Sequence, residues 1–313
     1  MPLSAIRDYL LPKNPVTGNR EIHLIPSFVE KFVGANSYAP LIEKSGGEIP
    51  SNHKNPKYRD YVRLVQEIGL TLACQAKRKN VEFEFKVIDS PKDNAWCLPG
   101  GKIGINVGLI EKMDAEKELF DLSQFSIQEK IAAVLSHEII HADARHTGRS
   151  LEFRLFLIGI IKTAQLCTVH FFVNRSYNPK IEKANKEKDH SLATRLTQER
   201  DSKAKTIGFL FELASSWLIN GLSLCNSRSN ELESDKFGMR LIKDVSNTYS
   251  RSFTGNSPQA AIWLQHYFKK NHSHSHSNNF LKGLMNLFST HPTSDERLKA
   301  NIQTWADLQS GKL

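Results

Sequence analysis

The stretch Ser126-Ile-Gln-Glu-Lys-Ile-Ala-Ala-Val-Leu-Ser-His-Glu-Ile-Ile-His141 decides the fold. Ser126 and Glu129 have the spacing of a capping box and predict a helix start. Ile127, Ile131, Val134 and Leu135 then recur at helical intervals and predict a buried face. On such a helix His137 and His141 lie one turn apart on the same side, able to bind a single ion. Glu138 stands beside His137, within reach of a water held by that ion. This His-Glu-x-x-His spacing is the one used in zinc-dependent peptide hydrolysis. Three fixed residues in five also arise by chance, so the helical context adds weight.

Catalytic zinc takes three protein ligands and keeps a position open for water. His146 is too near on the same helix to complete a tetrahedral site. Further on, Ser227-Arg-Ser-Asn-Glu-Leu-Glu-Ser-Asp235 carries carboxylates on a second predicted helix, about 229–243. Glu231 and Asp235 are four apart and share a face. One can bind the metal while the other accepts a hydrogen bond from a ligand histidine. Glu233 points roughly the other way and reads as surface.

The rest of the 313 residues bounds the setting. An apolar fraction of 40% with 24% charged residues is globular. The formal charge of +9 is spread along the chain, with no long cationic run and no nucleic-acid motif, so no specific nucleic acid is expected. Cys74, Cys97, Cys167 and Cys225 include no CxxC pair, which argues against a cysteine zinc site. The N-terminus has no apolar stretch long enough for a secretory signal. Two segments approach a membrane span without being clear ones. Leu155–Val173 is interrupted by Lys162, Gln165 and His170, and Thr206–Cys225 by Glu212 and Asn220. Both are expected to be mostly buried helices, with membrane contact as the rival reading.

Residues 1–55 carry Pro12, Pro15, Gly46, Gly47 and Pro50 and predict an irregular arm packed on a catalytic domain of residues 56–313. A helix is expected near 57–79, from Tyr61, Leu64, Val65, Ile68 and Leu72. Phe83, Phe85 and Val87 alternate with charges and predict a half-buried strand. Pro99-Gly-Gly101 turns the chain into a second strand, Lys102–Asn106. Residues 174–205 read as an exposed charged insertion. Pro258 opens a helix through Ile262, Trp263 and Leu264. Another follows Pro292, with Thr293 and Glu296 as its capping box. His272, His274 and His276 sit in a polar loop and are not counted as a site.

Five stretches then resemble one family, in its order along the chain. They are Asn14-Pro-Val-Thr-Gly18, Asn94 through Gly108, His137 through His146, Ser227 through Gly238, and Ser289 through Arg297. The chain resembles the zinc metalloendopeptidases that include the CAAX prenyl protease, the heat-shock protease HtpX and the mitochondrial Oma-type proteases. It is most similar to the soluble or lipid-anchored bacterial Oma-like members. Asp143, Ser234 and Cys97 depart from the residues usual there.

The resemblance implies a mainly α, zincin-like domain with a small sheet, and one zinc ion per chain. The ligand set is then His137, His141 and Glu231, with Asp235 supporting a ligand histidine. Glu138 is the general base, and His291 and Arg297 approach from the C-terminal side to stabilise developing negative charge. The resemblance also makes the Asn94–Gly108 region the active-site edge strand. Gly101, Lys102, Ile103, Gly104, Ile105 and Asn106 are expected to bind extended peptide through the main chain. The expected function is endopeptidase action on unfolded or membrane-associated proteins, in the cytoplasm or at a membrane surface. A zinc-binding, proteolytically silent chaperone-like protein is the alternative.

Overall fold

The computed structural model describes residue 8 and residues 11–116, 125–248, 257–272 and 295–313, with the backbone alone for 216–227. In chain order its elements are α1 (Ser27–Ser45), α2 (Pro56–Ala73), β1 (Glu84–Ile88), β2 (Ala95–Leu98), β3 (Lys102–Asn106), α3 (Val107–Ala115) and α4 (Ile127–Asp143). There follow α5 (His146–Thr168), a π-helical turn (Val169–Asn174), α6 (Arg175–Lys186), α7 (His190–Thr248), α8 (Ala260–His272) and α9 (Asp295–Gln309). The chain divides into two compact units: Met1–Arg149 with Ser227–Leu313, and Ser150–Asn226.

The first unit is helical with one small sheet. The capping box forms: the Glu129 N–H donates to Ser126 Oγ at 3.3 Å, and the Ser126 N–H donates to the Glu129 carboxylate at 3.0 Å. From Lys130 to Asp143 every residue of α4 is buried. A helix buried all round needs cover on several sides, and it packs with α2, α3, α8 and β2. Ile131, Leu135, Ile139, Val65, Leu72, Ile103, Ile105, Trp263 and Tyr267 belong to one core.

Helix α2 stops at Ala73, short of the expected 79. The reason is Asp143, whose carboxylate accepts the backbone N–H groups of Lys77 at 2.8 Å and Arg78 at 2.6 Å. These bonds hold the chain after α2 in a turn under the end of α4. Residues 1–55 are also more regular than expected, because α1 fills 19 of them. Its buried stripe is Glu30, Gly34, Tyr38 and Ile42, one residue per turn. A charge and a glycine in so narrow a stripe hide its helical periodicity. Asn14, in the arm's turn, is buried and donates to the Ala144 carbonyl at 2.8 Å, just beyond the end of α4.

The sheet order is β1-β3-β2, with β3 parallel to β1 and antiparallel to β2. This corrects the expectation for Lys102–Asn106. That strand is central, and both its edges are already paired. Nor is the backbone at Gly104 open. A Cβ there would come within 2.4 Å of the Trp96 indole, which fills the space.

The second unit, Ser150–Asn226, is helical throughout apart from a short turn near Lys188. The expected insertion 174–205 is thus α6 and the start of α7, with Asp189 accepting the Leu192 N–H at the start of α7. Among their described residues the two near-apolar segments are not mostly buried. Leu155, Phe156, Leu166, Phe171, Phe172, Phe209 and Leu210 are all exposed, Phe172 by 76%. Among the described residues the helical run His146–Lys186 is long and apolar enough to cross a membrane. Lys162 is the lone charge between Arg154 and Arg175, and its ammonium lies 4.0 Å from the Glu212 carboxylate.

Candidate metal centre

The site is built within the first unit, by α4 and by the part of α7 from Ser227 onward. α4 supplies His137, Glu138 and His141, and α7 supplies Glu231, Glu233 and Asp235. They approach closely at Gly238, where a Cβ would stand 3.2 Å from Ser136 Oγ and 3.3 Å from the His137 backbone nitrogen. A larger side chain there would push Glu231 and Asp235 away from the histidines.

The geometry suits a tetrahedral ion. His137 Nε2 and His141 Nε2 are 3.1 Å apart. Glu231 Oε2 lies 3.3 Å from the first and Oε1 3.3 Å from the second. A tetrahedral zinc with bonds of ~2.0–2.1 Å sets its donor atoms about 3.3–3.4 Å apart. Two imidazole nitrogens and one carboxylate also form a ligand set known for catalytic zinc. All three side chains are buried, so a cation there would meet little competing water.

Outer contacts hold these ligands. Asp235 Oδ1 lies 2.8 Å from His137 Nδ1. Arg297, from α9, donates Nε to Asp235 Oδ2 at 2.8 Å and Nη2 to Asp235 Oδ1 at 2.7 Å. Its Nη1 lies 2.9 Å from Glu231 Oε2. Burial works against the Arg297 charge, but Asp235, Glu231 and Glu138 outweigh it and raise the pKa. Burial likewise pushes the Asp235 carboxyl up, yet Arg297 and the bond to His137 bring it below its ordinary value. For His137 burial disfavours the proton, while Glu231 and Asp235 favour it and prevail. The same carboxylates would favour a divalent cation. Glu138 is 2% exposed on the same helix, and its charge helps raise the pKa of Cys97 in β2, after burial itself.

The structure therefore brings His137, His141, Glu231, Asp235 and Arg297 together. His291 lies outside the described residues. Glu233 is not the plain surface residue expected. It is half-buried, with Oε2 3.0 Å from His146 Nε2 and accepting from Arg149 Nη2 at 3.2 Å. His146 in turn sits 3.1 Å from His141, Nδ1 to Nδ1. Burial pushes its pKa down to about 3, with Glu233 opposing, so the ring is neutral. Position along α7 alone could not reveal this, because the partners come from the first turn of α5. Gln265 of α8, also unforeseen, donates to Asp235 Oδ2 at 3.4 Å.

Comparison with known proteins agrees with this geometry. A family model described as Peptidase family M48 matches residues 62–305. The chain is 27% identical over 142 residues to the mitochondrial metalloendopeptidase OMA1 of Schizosaccharomyces pombe, covering 44% of this chain and 36% of that protein. It is 31% identical over 84 residues to OMA1 of Arabidopsis thaliana, covering 27% of this chain and 15% of the relative. The beta-barrel assembly-enhancing protease of Yersinia pestis is 28% identical over 90 residues, covering 29% of this chain and 16% of that protein. The chain thus spans well under half the length of each.

Proposed function

This chain belongs to peptidase family M48, a family of metalloendopeptidases, and we propose that it is a zinc-dependent endopeptidase acting on unfolded or membrane-associated proteins. The observation that carries the reading is the close donor set: the Nε2 atoms of His137 and His141 are 3.1 Å apart, and each lies 3.3 Å from one oxygen of the Glu231 carboxylate. Zinc held there would lower the pKa of its water toward ~7 and polarise the scissile carbonyl. Glu138 takes the proton from the attacking water and returns it to the leaving amine. Asp235 orients His137, and Arg297 balances the charge of Asp235 and Glu231. His291 remains a candidate for stabilising the oxyanion.

The substrate strand is proposed afresh. β3 is central, so the edge beside α4 belongs to β2, Ala95–Leu98. An extended peptide pairing there would offer only main-chain groups, which favours unfolded segments over folded ones. The uncovered apolar residues of Ser150–Asn226 support contact with lipid. Lys162 and Glu212 could enter it as a neutral pair. A relative named for enhancing beta-barrel assembly adds support for membrane proteins among the substrates.

The test is cleavage of a permanently unfolded protein and of its stably folded parent, with and without chelator. Cleavage of the unfolded form alone, abolished by chelator and restored by zinc, is expected. Binding without cleavage would favour a silent, chaperone-like protein instead.

A further inference from the structure

We infer that His146 is a positioning residue, which passes the hold of Glu233 to the ligand His141. The inference rests on the zinc-peptidase reading above and extends it to a second support.

The backbone places the ring. α4 ends at Asp143, and Arg145 adopts φ 58°, a left-handed conformation unusual for a side chain of its size. Such a residue persists only where its surroundings hold it. Arg145 Nε donates to Glu30 Oε1 at 2.7 Å, its Nη2 donates to the Ile25 carbonyl at 3.3 Å, and Asn14 holds the neighbouring Ala144 carbonyl. The reversal turns His146 back toward α4, where it is 1% exposed and packs edge-on against His141 with ring centroids 5.0 Å apart.

Donor accounting then orders the protons. His141 faces the other donor atoms through Nε2. A neutral imidazole that ligates through Nε2 carries its proton on Nδ1. The atom placed to accept it is His146 Nδ1, at 3.1 Å. His146 must then bear its own proton on Nε2, which points at Glu233 Oε2, 3.0 Å away. Ser234 Oγ lies 3.0 Å from the same Nδ1 and competes for its single lone pair. The chain of bonds runs from His141 through His146 to Glu233. His137 has Asp235 directly, so each ligand histidine ends on a carboxylate of α7, the two carboxylates standing one residue either side of Ser234. Arg149 fixes the far end, donating to Glu233, to Asn230 and, at 2.6 Å, to Glu21 of the N-terminal arm.

The experiment measures zinc affinity by competition with a chromogenic chelator, alongside melting of the metal-free chain. His146→Leu should weaken zinc binding roughly 10- to 100-fold, as loss of an outer partner of a ligand histidine does. His146→Gln, whose amide can accept from His141 and donate to Glu233, should recover part of that loss. Glu233→Gln should weaken binding less than His146→Leu. The double variant His146→Leu, Glu233→Gln should be no worse than His146→Leu alone, because Glu233 acts through His146. Additive losses, or wild-type affinity in both single variants, would overturn the inference. If His146→Leu does not fold, Glu233→Gln and His146→Gln carry the test, and wild-type affinity in both overturns it. His137→Ala separates the premise: if it binds zinc as tightly as wild type, the metal site itself is wrongly assigned.

Discussion

The two units of this chain break the usual rule of burial in opposite directions. The first buries Glu30, Glu138, Asp143, Glu231, Asp235, Arg145 and Arg297, all under 9% exposed. The second exposes Leu166 by 70% and Phe172 by 76%. Buried charge is costly unless paired: Glu30 pairs with Arg145, and Arg297 pairs with Asp235 and Glu231 beside the two histidines. Exposed apolar side chains in such number mark a surface meant for something other than water. The proposed function rests its chemistry on the first of these features and its contact with lipid on the second.

The sharpest way to break the chemical half is Glu138→Gln. Turnover should fall by several orders of magnitude, because both proton transfers run through that carboxylate. Near-normal cleavage in a steady-state assay would remove Glu138 from the mechanism. Next comes Arg297→Leu, which leaves Asp235 and Glu231 buried without their guanidinium. Removing one partner of a buried pair costs about 3–5 kcal/mol, to be read from urea unfolding. A change below ~1 kcal/mol would show that Arg297 is not the counter-charge.

The acid response follows from the same group. Asp235 is held below its ordinary pKa in the fold. Such a carboxylate adds stability above its unfolded value of ~3.9, and that stability is lost as pH falls through the lower folded value. His137 is raised, so its contribution is complete below ~6.5 and fades as pH climbs through its folded value. His146, lowered to about 3, works the other way and loses stability as pH falls below ~6.5, so the chelator-treated chain should be most stable near pH ~6.5. Asp235→Asn should blunt the acid loss, and an unchanged acid limb in urea midpoints would contradict the account. The smallest effect tests the other unit. Phe172→Glu should change stability by under ~0.5 kcal/mol, since the side chain is already exposed. It should also reduce flotation with liposomes. Equal flotation would break the docking half of the comparison.

Much of the metal centre was legible because its signals are local. Ser126 with Glu129, His137 with His141, and Glu231 with Asp235 are pairs within one helix, and helical spacing fixes their faces. What stayed hidden depends on other elements. The central place of β3 follows from pairing with β1, which lies 18 residues earlier in register. The role of Glu233 needs the reversal at Arg145. The helix α1 hides because its stripe mixes Glu30 and Gly34 with Tyr38 and Ile42. The exposure of Leu155–Val173 could not be read from composition, since an apolar helix looks the same in a core and on a surface.

Metal analysis of the purified wild-type chain beside Glu138→Gln and His141→Ala tests the central claim most directly. The account predicts about one zinc per chain in wild type, the same in Glu138→Gln, and little in His141→Ala. Full zinc in His141→Ala, or its loss in Glu138→Gln, would contradict the assignment of ligands and base.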